Sequence, residues 1–217
     1  MEITENLAEL IGIIIGDGNI HYNKKTRKYY VEITGNPKKE EKYFKYISSI
    51  YKELIGKPGK IRISGRGLRI RVYSKKLVEF LIFKLKIHYN RGKSHRVEIP
   101  KEILKEKRLF YSCLKGIFDT DGSYFLANKG YRKDYPCIEI STCSIKLANQ
   151  IREELSKKFR IKFRIETKKT YSLGKKYILS LNGEEETKKW FNLIGSSNNN
   201  KLKKYKDFLI TKDLKTN

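Results

Sequence analysis

The sequence has few cysteines, few histidines and no long apolar run, and each shortage excludes a class of protein. The odd number of cysteines and the lack of metal-type pairing argue against a disulfide framework. We expect buried or incidental thiols in a reducing compartment at Cys113, Cys137 and Cys143. The three histidines are scattered, so we interpret them as polar or phosphate contacts rather than as metal ligands: His21, His88 and His95.

No apolar run approaches the length of a membrane span. The run "LIGIII" is far shorter than the ~20 residues that a span needs, and Glu9 and Asp17 bracket it. No basic leader with an apolar stretch and a cleavage site opens the chain, which argues against secretion. The sequence therefore predicts a soluble protein without membrane contacts, in the cytoplasm of a prokaryotic cell or in an organellar matrix.

Acidic residues are scarce relative to basic ones. Lys and Arg number 49 against 24 Asp and Glu, a formal net charge of +25, while 39% hydrophobic residues suit a folded chain. Such an excess of one sign repels itself, which favours a polyanionic partner such as nucleic acid. On charge alone, the alternative is a lysine-rich soluble protein from an AT-biased genome.

The patterns of helix and strand occur twice along the chain. In each half, an apolar helix that ends in aspartate precedes two strands, a helix, two further strands and a last helix. We therefore predict an α+β fold of two pseudo-symmetric α-β-β-α-β-β-α repeats with antiparallel sheets. The predicted parts are a first repeat at 1–85, a basic connector at 86–108, a second repeat at 109–195, and a basic tail at 196–217. The tail begins as a low-complexity hinge and ends as a helix or a loose arm.

Local signals place several of these elements. Asn36, followed by Pro37, is predicted to cap the second helix of the first repeat, and Ser144 its counterpart. A further helix is predicted over about residues 75–85. The strand directly after each opening helix has the weakest pattern; in the second repeat it corresponds to "GSYFLAN".

Small residues recur every four positions in the opening helix of each repeat. This spacing places them on one helix face, and a glycine within a helix costs roughly 1 kcal/mol relative to alanine. We predict that the two faces pack on each other about a pseudo-twofold axis; packing of each face on its own sheet is the alternative. The predicted interface consists of Ala8, Gly12, Gly16, Ser112, Gly116 and Thr120.

Both opening helices end in an aspartate that is followed by a glycine. If the helices meet, Asp17 and Asp121 come together at two helix C-termini, where the helix dipoles and mutual repulsion disfavour anions. Either one carboxyl is protonated or a cation lies between them. Because carboxylate and carbonyl oxygens suit Mg²⁺, we predict a magnesium site that also uses the carbonyls of Gly16 and Thr120.

These two segments also carry a family resemblance. "LAELIGIIIGDG" and "CLKGIFDTDG" resemble the two motifs of a single-chain LAGLIDADG homing endonuclease, over roughly residues 5–195. The resemblance implies a DNA-binding saddle with the two motif helices at its centre, where the last acids, Asp17 and Asp121, bind divalent metal. Asp119 matches an earlier acidic position of the motif. Its counterpart in the first repeat is Ile15, so we do not expect Asp119 to be catalytic.

The resemblance further implies hydrolysis of one phosphodiester on each DNA strand, across the minor groove, leaving short 3′ overhangs. Bound metals would orient and acidify the attacking water. We expect Mg²⁺ as the cofactor, with Mn²⁺ substituting and Ca²⁺ binding without supporting cleavage. The expected partner is double-stranded DNA with a long, pseudo-palindromic or asymmetric target, bound by a monomer that acts as a pseudo-dimer.

A basic residue near each metal is also implied by the resemblance. Lys75 matches the family's lysine after the fourth strand of the first repeat, and we assign it a catalytic role. The corresponding position of the second repeat is Asn182, which carries no positive charge. A polar or basic pair that often follows the first long strand is replaced by Gly35–Asn36 and by Thr142–Cys143. These departures predict unequal cleavage rates for the two strands.

The predicted strands have one apolar and one polar or basic face. Alternation places the polar side chains together, and a two-stranded ribbon fits the major groove, where arginine reads guanine. For a single strand, a solvated outer face is the ordinary interpretation, but here the bias recurs in several strands. The predicted DNA contacts are Lys24, Lys25, Arg27, Tyr30, Glu32, Thr34, Lys60, Arg62, Ser64, Arg66, Arg69, Arg71 and Tyr73 in the first repeat. In the second repeat they are Cys137, Glu139, Ser141, Arg160, Lys162, Arg164, Lys168, Lys176 and Ser180.

Other functions compete with the endonuclease. An RNA-binding intron maturase of the same fold is one alternative, with intron RNA as its partner, and a non-cleaving DNA-binding regulator is another. Retention of Asp17 and Asp121 argues against the regulator, because a pure binder gains nothing from two repelling carboxylates. An intein is disfavoured, since we find no splicing nucleophile at the start and no His-Asn pair at the end. The sequence does not separate an endonuclease from a bifunctional maturase.

Overall fold

The computed structural model describes residues 1–89, 92–130, 132–167 and 174–216. The first repeat comprises α1 (Glu5–Asp17), β1 (Gly18–Asn23), β2 (Lys28–Gly35), α2 (Glu41–Ile55), β3 (Lys60–Ser64), β4 (Gly67–Tyr73) and α3 (Lys75–Glu79), which continues as a π-helical turn, Phe80–Lys84. The connector carries two short helices, α4 (Lys93–Arg96) and α5 (Lys101–Leu104). The second repeat comprises α6 (Lys107–Asp121), β5 (Gly122–Lys129), β6 (Arg132–Thr142), α7 (Ile145–Ser156), β7 (Lys162–Thr167), β8 (Lys175–Asn182) and α8 (Glu184–Leu193), followed by α9 (Asn199–Thr216).

Each repeat contains one four-stranded antiparallel sheet, and the two sheets have the same strand order. The order is β1-β2-β4-β3 in the first and β5-β6-β8-β7 in the second. In both, the opening helix leads directly into the first strand, so Asp17 precedes β1 and Asp121 precedes β5. This arrangement confirms the predicted α+β fold of two pseudo-symmetric repeats.

The local predictions have mixed outcomes. Ser144 caps α7, since its side chain accepts a hydrogen bond from the Leu147 N–H. The cap predicted at Asn36 is wrong. Asn36 instead forms a turn, in which its side-chain oxygen accepts from the Lys38 N–H at 2.9 Å, and α2 begins only after Glu40. The tail is helical from Asn199 onwards, which is one of the two predicted alternatives.

The core of the molecule is built around α1. Its aliphatic side chains are buried on all sides, because α1 packs on α6, on α2 and on its own sheet. Each fully buried leucine or isoleucine contributes about 1.5–3 kcal/mol relative to an exposed one. Within the described ranges, no helix is long and apolar enough to cross a bilayer.

The two opening helices pack directly on each other through their glycines. A Cβ atom added at Gly12 would overlap the carbonyl oxygen of Cys113, and one added at Gly116 would overlap that of Glu9. Cys113 lies three residues before Gly116, and Glu9 three residues before Gly12, so the contacts repeat about the pseudo-twofold axis. The contact between the helices, called the seam below, confirms that the motif helices pack at the centre of the fold.

Gly12→Ala and Gly116→Ala are each expected to lower the melting temperature by several degrees. Overpacking costs typically 1–3 kcal/mol, and here the obstacle is backbone, so this cost outweighs the ~1 kcal/mol gain in helix propensity. Ser112→Ala is the matched control, because Ser112 lies one turn before Gly116 and is only half-buried. Thermal unfolding followed by circular dichroism measures the effect. An unchanged melting temperature in both glycine variants would contradict a close backbone contact.

Candidate active site

The seam brings the two terminal aspartates to one place. A Cβ atom at Gly16, the residue before Asp17, would lie 2.7 Å from the Thr120 Cβ and 3.3 Å from an oxygen of Asp121. Both aspartates are exposed at the mouth of the seam, and the glycine after each has an extended backbone that starts the next strand. The predicted juxtaposition of the acids is therefore what the structure shows. The Thr120 hydroxyl donates to carbonyls of its own helix, those of Gly116 and Ile117.

The environment of the aspartates disfavours their negative charge. Partial desolvation by the surrounding protein raises the pKa of Asp17 to about 6, and the nearby carboxylates of Asp121 and Glu40 add to the increase. Desolvation also raises the pKa of Asp121. Two lysines, Lys93 and Lys201, oppose both shifts.

These lysines occupy equivalent positions at the two helix ends. The Lys93 ammonium donates to the carbonyl of Ile14 at 2.6 Å and to that of Gly18. The Lys201 ammonium donates to the carbonyl of Phe118. Ile14 and Phe118 each lie three residues before the terminal aspartate of their helix. Each lysine thus satisfies carbonyls at a helix C-terminus and places a cation where the helix dipole favours one.

Burial lowers the pKa of both lysines to about 8, against the opposing effect of the acids. For Lys93 the stabilising carboxylates are Asp121 and Asp17, in that order. For Lys201 they are Asp119, Glu40 and then the two terminal aspartates. The mouth of the seam therefore contains two carboxylates and two ammonium groups in close electrostatic contact.

The structure does not bring Lys75 to this site. Its ammonium lies 5.7 Å from the ring centre of Tyr29 and 3.8 Å from Glu79. Asp17 leads into Gly18, which pairs with Ile33, whereas Tyr29 lies four residues along β2 from Ile33. At ~3.3 Å per residue, Lys75 is at the far end of the sheet from the acids. Lys93 and Lys201 occupy the place that the sequence assigned to Lys75.

No motif pointed to these two lysines. Each follows the last helical segment of its repeat, Lys93 in "GKS" and Lys201 in "NNNKLKK". The one signal in the sequence is that each lysine follows its aspartate at a similar distance, 76 residues for Lys93 and 80 for Lys201. Asp119, which we did not expect to be catalytic, is buried away from the mouth, where it accepts hydrogen bonds from Ser196 and Ser197.

A cavity of about 550 Å³ opens beside Asp121. Three lysines line it together with Asp121 and hydroxyl or thiol groups, so its walls suit a phosphate near the carboxylate. Besides Asp121, the lining includes Gly16, Lys93, Ser94, Ser141, Thr142, Cys143, Lys175 and Lys176.

In the metal-free protein, Asp17→Asn is expected to raise the melting temperature at pH 7.5 and leave it nearly unchanged at pH 4. The pKa of Asp17 is raised from 3.8 to about 6 in the folded state, so folding favours the protonated form. The stability from that proton is complete below pH 3.8 and is lost as the pH rises through about 6. Because Asp17 is exposed, we expect a gain of only ~1 kcal/mol, roughly 2–4 °C. Thermal unfolding in EDTA measures it, and equal shifts at both pH values would contradict the mechanism.

The outward face of the first sheet carries most of the predicted contacts. The register places Glu32 beside Arg71, and Arg71 beside Lys60. The residues two positions before and after each of these lie on the same face of the sheet. The alternate residues Val31, Ile33, Ile70 and Val72 are buried beneath. Lys24, Lys25, Arg27 and Arg66 lie in the exposed turns at the ends of the two hairpins. The face itself displays Tyr30, Glu32, Thr34, Lys60, Arg62, Ser64, Arg69, Arg71 and Tyr73.

The second sheet has an equivalent outward face, but some of the predicted contacts are not available on it. Glu139 aligns with Ser180 and Lys162, and Arg164 lies 3.6 Å from Glu139. The same face also carries Ser141 and Lys176. Cys137 and Ser180 are buried, at 2% and 7% exposure, because neighbouring side chains cover them, so the structure does not present them as DNA contacts. Arg160, however, precedes β7, and its guanidinium pairs with Glu185 and Glu186 of α8. Arg160 thus fixes the start of α8 rather than extending from the sheet face, and Lys168 lies outside the described residues.

The two pseudo-symmetric repeats meet through their opening helices, and each contributes an aspartate to the seam and a basic sheet. These features define the two-repeat LAGLIDADG fold. The chain belongs to the LAGLIDADG DNA endonuclease family, whose sequence model matches residues 8–189.

Solved structures of similar fold include three homing endonuclease structures. A structure of mesophilic variants of the homing endonuclease I-DmoI is 19% identical, with a TM-score of 0.61 over 89% of this chain and 96% of that one. I-DmoI in complex with DNA and Mn is 19% identical, with a TM-score of 0.60 over 90% and 98%. The homing endonuclease I-WcaI bound to its DNA recognition sequence is 15% identical, with a TM-score of 0.60 over 89% and 82%. These likenesses establish the shared fold.

Two curated proteins share sequence with this chain. One is a DNA polymerase of Thermococcus sp. (strain GE8), 29% identical over 160 residues, which are 70% of this chain and 8% of that protein. The other is the replication factor C small subunit of Methanocaldococcus jannaschii, 30% identical over 211 residues, which are 94% of this chain and 10% of that protein. The chain therefore spans a tenth or less of the length of these relatives.

Proposed function

We propose that the protein is a site-specific homing endonuclease that hydrolyses one phosphodiester on each strand of double-stranded DNA. The observation that carries this proposal is the mouth of the seam, where Asp17 and Asp121 meet between the half-buried ammonium groups of Lys93 and Lys201. The two basic sheet faces, one in each repeat, supply a DNA surface. A monomer with two such halves suits a long target, either pseudo-palindromic or asymmetric.

The donor set fits a hard divalent cation. Within the described residues, no group of three or more His, Cys, Asp or Glu side chains could hold a metal. Asp17 and Asp121 would therefore bind it with backbone carbonyls, for which we propose Gly16 and Thr120, and with DNA phosphate oxygens. When bound, the cation would lower the pKa of a water molecule and stabilise the leaving oxygen. Desolvation raises the pKa of both aspartates, so their ionised forms favour a compensating cation nearby.

We propose Mg²⁺ as the physiological cation, with Mn²⁺ as a substitute and Ca²⁺ supporting binding without cleavage. The solved I-DmoI structures include DNA complexes with Mn, with Ca and in 2 mM Mg. In this chain, the carboxylates would orient the attacking water, while Lys93 and Lys201 would neutralise charge on the phosphates. Their pKa, lowered by burial to about 8, suits them to exchange a proton with the attacking water near neutral pH.

Selection from a randomised library of DNA duplexes tests the proposal and identifies the target in the same experiment. Incubation with protein and Mg²⁺, ligation of adaptors to the cut ends and sequencing should recover one family of long sites with short 3′ overhangs. EDTA should abolish the cuts. Binding to the selected site should weaken with salt by about 0.9 log units per log unit of salt for each neutralised phosphate. Binding without any recovered cut would overturn the proposal in favour of a non-cleaving regulator.

The first sheet carries an arginine that is held ready to read a base. Nε of Arg71 donates to Glu32 at 2.7 Å, Nη1 donates to the Tyr73 hydroxyl at 3.2 Å, and the guanidinium lies 4.4 Å from the ring centre of Tyr30. Glu32 binds Nε and also Nη2, which lies 2.5 Å from its carboxylate, so it occupies one edge of the guanidinium. Each terminal nitrogen carries a second N–H group, and this remaining pair matches O6 and N7 of guanine.

Glu32→Gln is expected to relax the requirement for guanine at one position of the target. A bidentate arginine contact discriminates by ~1–3 kcal/mol, roughly 5- to 150-fold, and loss of the carboxylate frees the Arg71 rotamer. Cleavage of targets with each base at every position measures the effect. Glu41→Gln is the matched control, because it removes the same charge from an exposed pair with Lys45 within α2, and it should leave the base preference unchanged. An unchanged preference in Glu32→Gln would contradict this role.

A further inference from the structure

A short polar segment connects α8 to the start of α9. The segment Ser196–Asn198, called the clasp below, lies in the part of the tail that the sequence predicted as a hinge. Its last residue, Asn198, is only 2% exposed. The Ser196 hydroxyl and the Ser197 N–H both donate to the carboxylate of Asp119, the latter at 2.7 Å. Asp119 is itself buried in α6, so the clasp is fixed to the second motif helix.

The clasp also binds the first repeat. The Ser197 hydroxyl donates to Glu9 of α1 at 2.6 Å. Glu9 is buried, and it also accepts from the Tyr46 hydroxyl at 2.9 Å and pairs with Lys115 of α6 at 2.7 Å. One carboxylate therefore links α1, α2, α6 and the clasp across the seam.

Asn198 completes these connections. Its amide donates to the Glu40 carboxylate at 3.2 Å and to the backbone carbonyl of Asp119 at 3.3 Å. Glu40 is one of the acids that raise the pKa of Asp17, and Asp119 lies two residues before Asp121. The buried Asn198 amide thus contacts Glu40, which acts on Asp17, and the backbone of α6 two residues before Asp121.

Lys201 follows the clasp in the first turn of α9, and its ammonium reaches the Phe118 carbonyl. Lysine has a flexible four-carbon side chain, so the position of its ammonium depends on where its backbone is held. The first repeat lacks an equivalent carboxylate, because the counterpart of Asp119 is the buried Ile15. Lys93 is therefore held in place without a clasp of this kind.

We propose that Asn198 is a positioning residue that, with Asp119 and Glu9, holds Lys201 at the nuclease site, so that the tail is an integral part of one of the two half-sites. This inference rests on the proposed endonuclease function. It assigns to the tail a role that acts through Lys201 and on one strand of the target more than on the other.

Strand-resolved single-turnover cleavage of the selected target tests this role. In Asn198→Ala, cleavage of one strand is expected to slow at least about tenfold, since small displacements of catalytic groups have effects of this size. The dissociation constant for DNA in Ca²⁺ should change by less than about twofold. Asn199→Ala is the matched control, because the neighbouring Asn199 is exposed. It should cleave both strands at the wild-type rate.

A double-mutant cycle separates positioning from a general loss of structure. If Asn198 acts through Lys201, the variant Lys201→Met with Asn198→Ala should cleave no more slowly than Lys201→Met alone. Multiplicative effects of the two substitutions would overturn the proposal. Ser197→Ala, which removes the hydroxyl that donates to Glu9, should produce the same strand bias, and Ser197→Thr should restore the rate. This second pair serves as the test if Asn198→Ala does not fold by circular dichroism.

The outcomes also distinguish this inference from the proposed function. A wild-type protein that cuts no DNA would end the endonuclease assignment. A wild-type protein that cuts, accompanied by a folded Asn198→Ala variant with unchanged rates on both strands, would refute the role of the clasp alone.

Discussion

Asp17→Asn and Asp121→Asn are each expected to abolish double-strand cleavage while DNA binding stays within about threefold of the wild type. Each substitution removes a charged oxygen donor from the site where the divalent cation would bind, without adding bulk. Metal-derived stabilisation of a transition state is worth several kcal/mol, so the cleavage rate should fall ~10³-fold or more. Single-turnover cleavage of the selected target in Mg²⁺ and an electrophoretic mobility shift in Ca²⁺ measure the two quantities.

Asp207→Asn is the matched control, because it removes the same charge from the exposed surface of α9. It should leave cleavage unchanged. The expected stabilisation of metal-free Asp17→Asn at pH 7.5 shows independently that this variant is folded. Cleavage at the wild-type rate in either active-site variant would refute the metal-binding role of that aspartate.

Lys93→Met and Lys201→Met are expected to slow cleavage by ~10²-fold each, because general acid-base groups contribute effects of this order. Methionine retains most of the buried aliphatic chain and removes the ammonium that donates to the helix carbonyls. The pH dependence of the cleavage rate should change as well. Lys93 has a pKa of about 8 in the metal-free protein, and Lys93→Met removes this titrating group. Single-turnover rates between pH 6 and 9 measure both effects.

Lys75→Met is the comparison that distinguishes the catalytic lysines assigned from the structure from the one predicted from the sequence. Because Lys75 is exposed and far from the acids, its substitution should change the cleavage rate by no more than about threefold. If Lys75 contacts a phosphate, the slope of the salt dependence should fall by ~1. A defect in Lys75→Met as large as that in Lys93→Met would restore Lys75 to the catalytic group.

The parts of the fold that the sequence predicted are those encoded by local periodicity. Glycines at four-residue spacing specify a helix face that only another backbone can approach, so Gly12 and Gly116 predict the seam and the meeting of Asp17 with Asp121. Alternation likewise predicts which strand residues lie on the outward faces. These signals act over short distances and do not depend on the rest of the chain.

The parts that the sequence missed depend on contacts between distant segments. Lys93 and Lys201 come from irregular segments, and only tertiary packing brings them to the helix ends. Arg160 fits the alternation of β7, yet Glu185 and Glu186 bind it from a different helix. Asn36 has the chemistry of a helix cap, but it forms a turn with Lys38, and the helix starts five residues later. Each error arises because a tertiary partner competes with a local preference.

No side chain separates Gly12 from the Cys113 backbone or Gly116 from the Glu9 backbone. This direct backbone contact affects how the protein can evolve. The separation of the two acids depends on main-chain dimensions, which substitutions on the outer sheets do not alter. The choice of bases, by contrast, depends on exchangeable side chains such as Arg71. Descendants or engineered forms that select entirely different sequences are therefore expected to keep the same stagger between their two incisions.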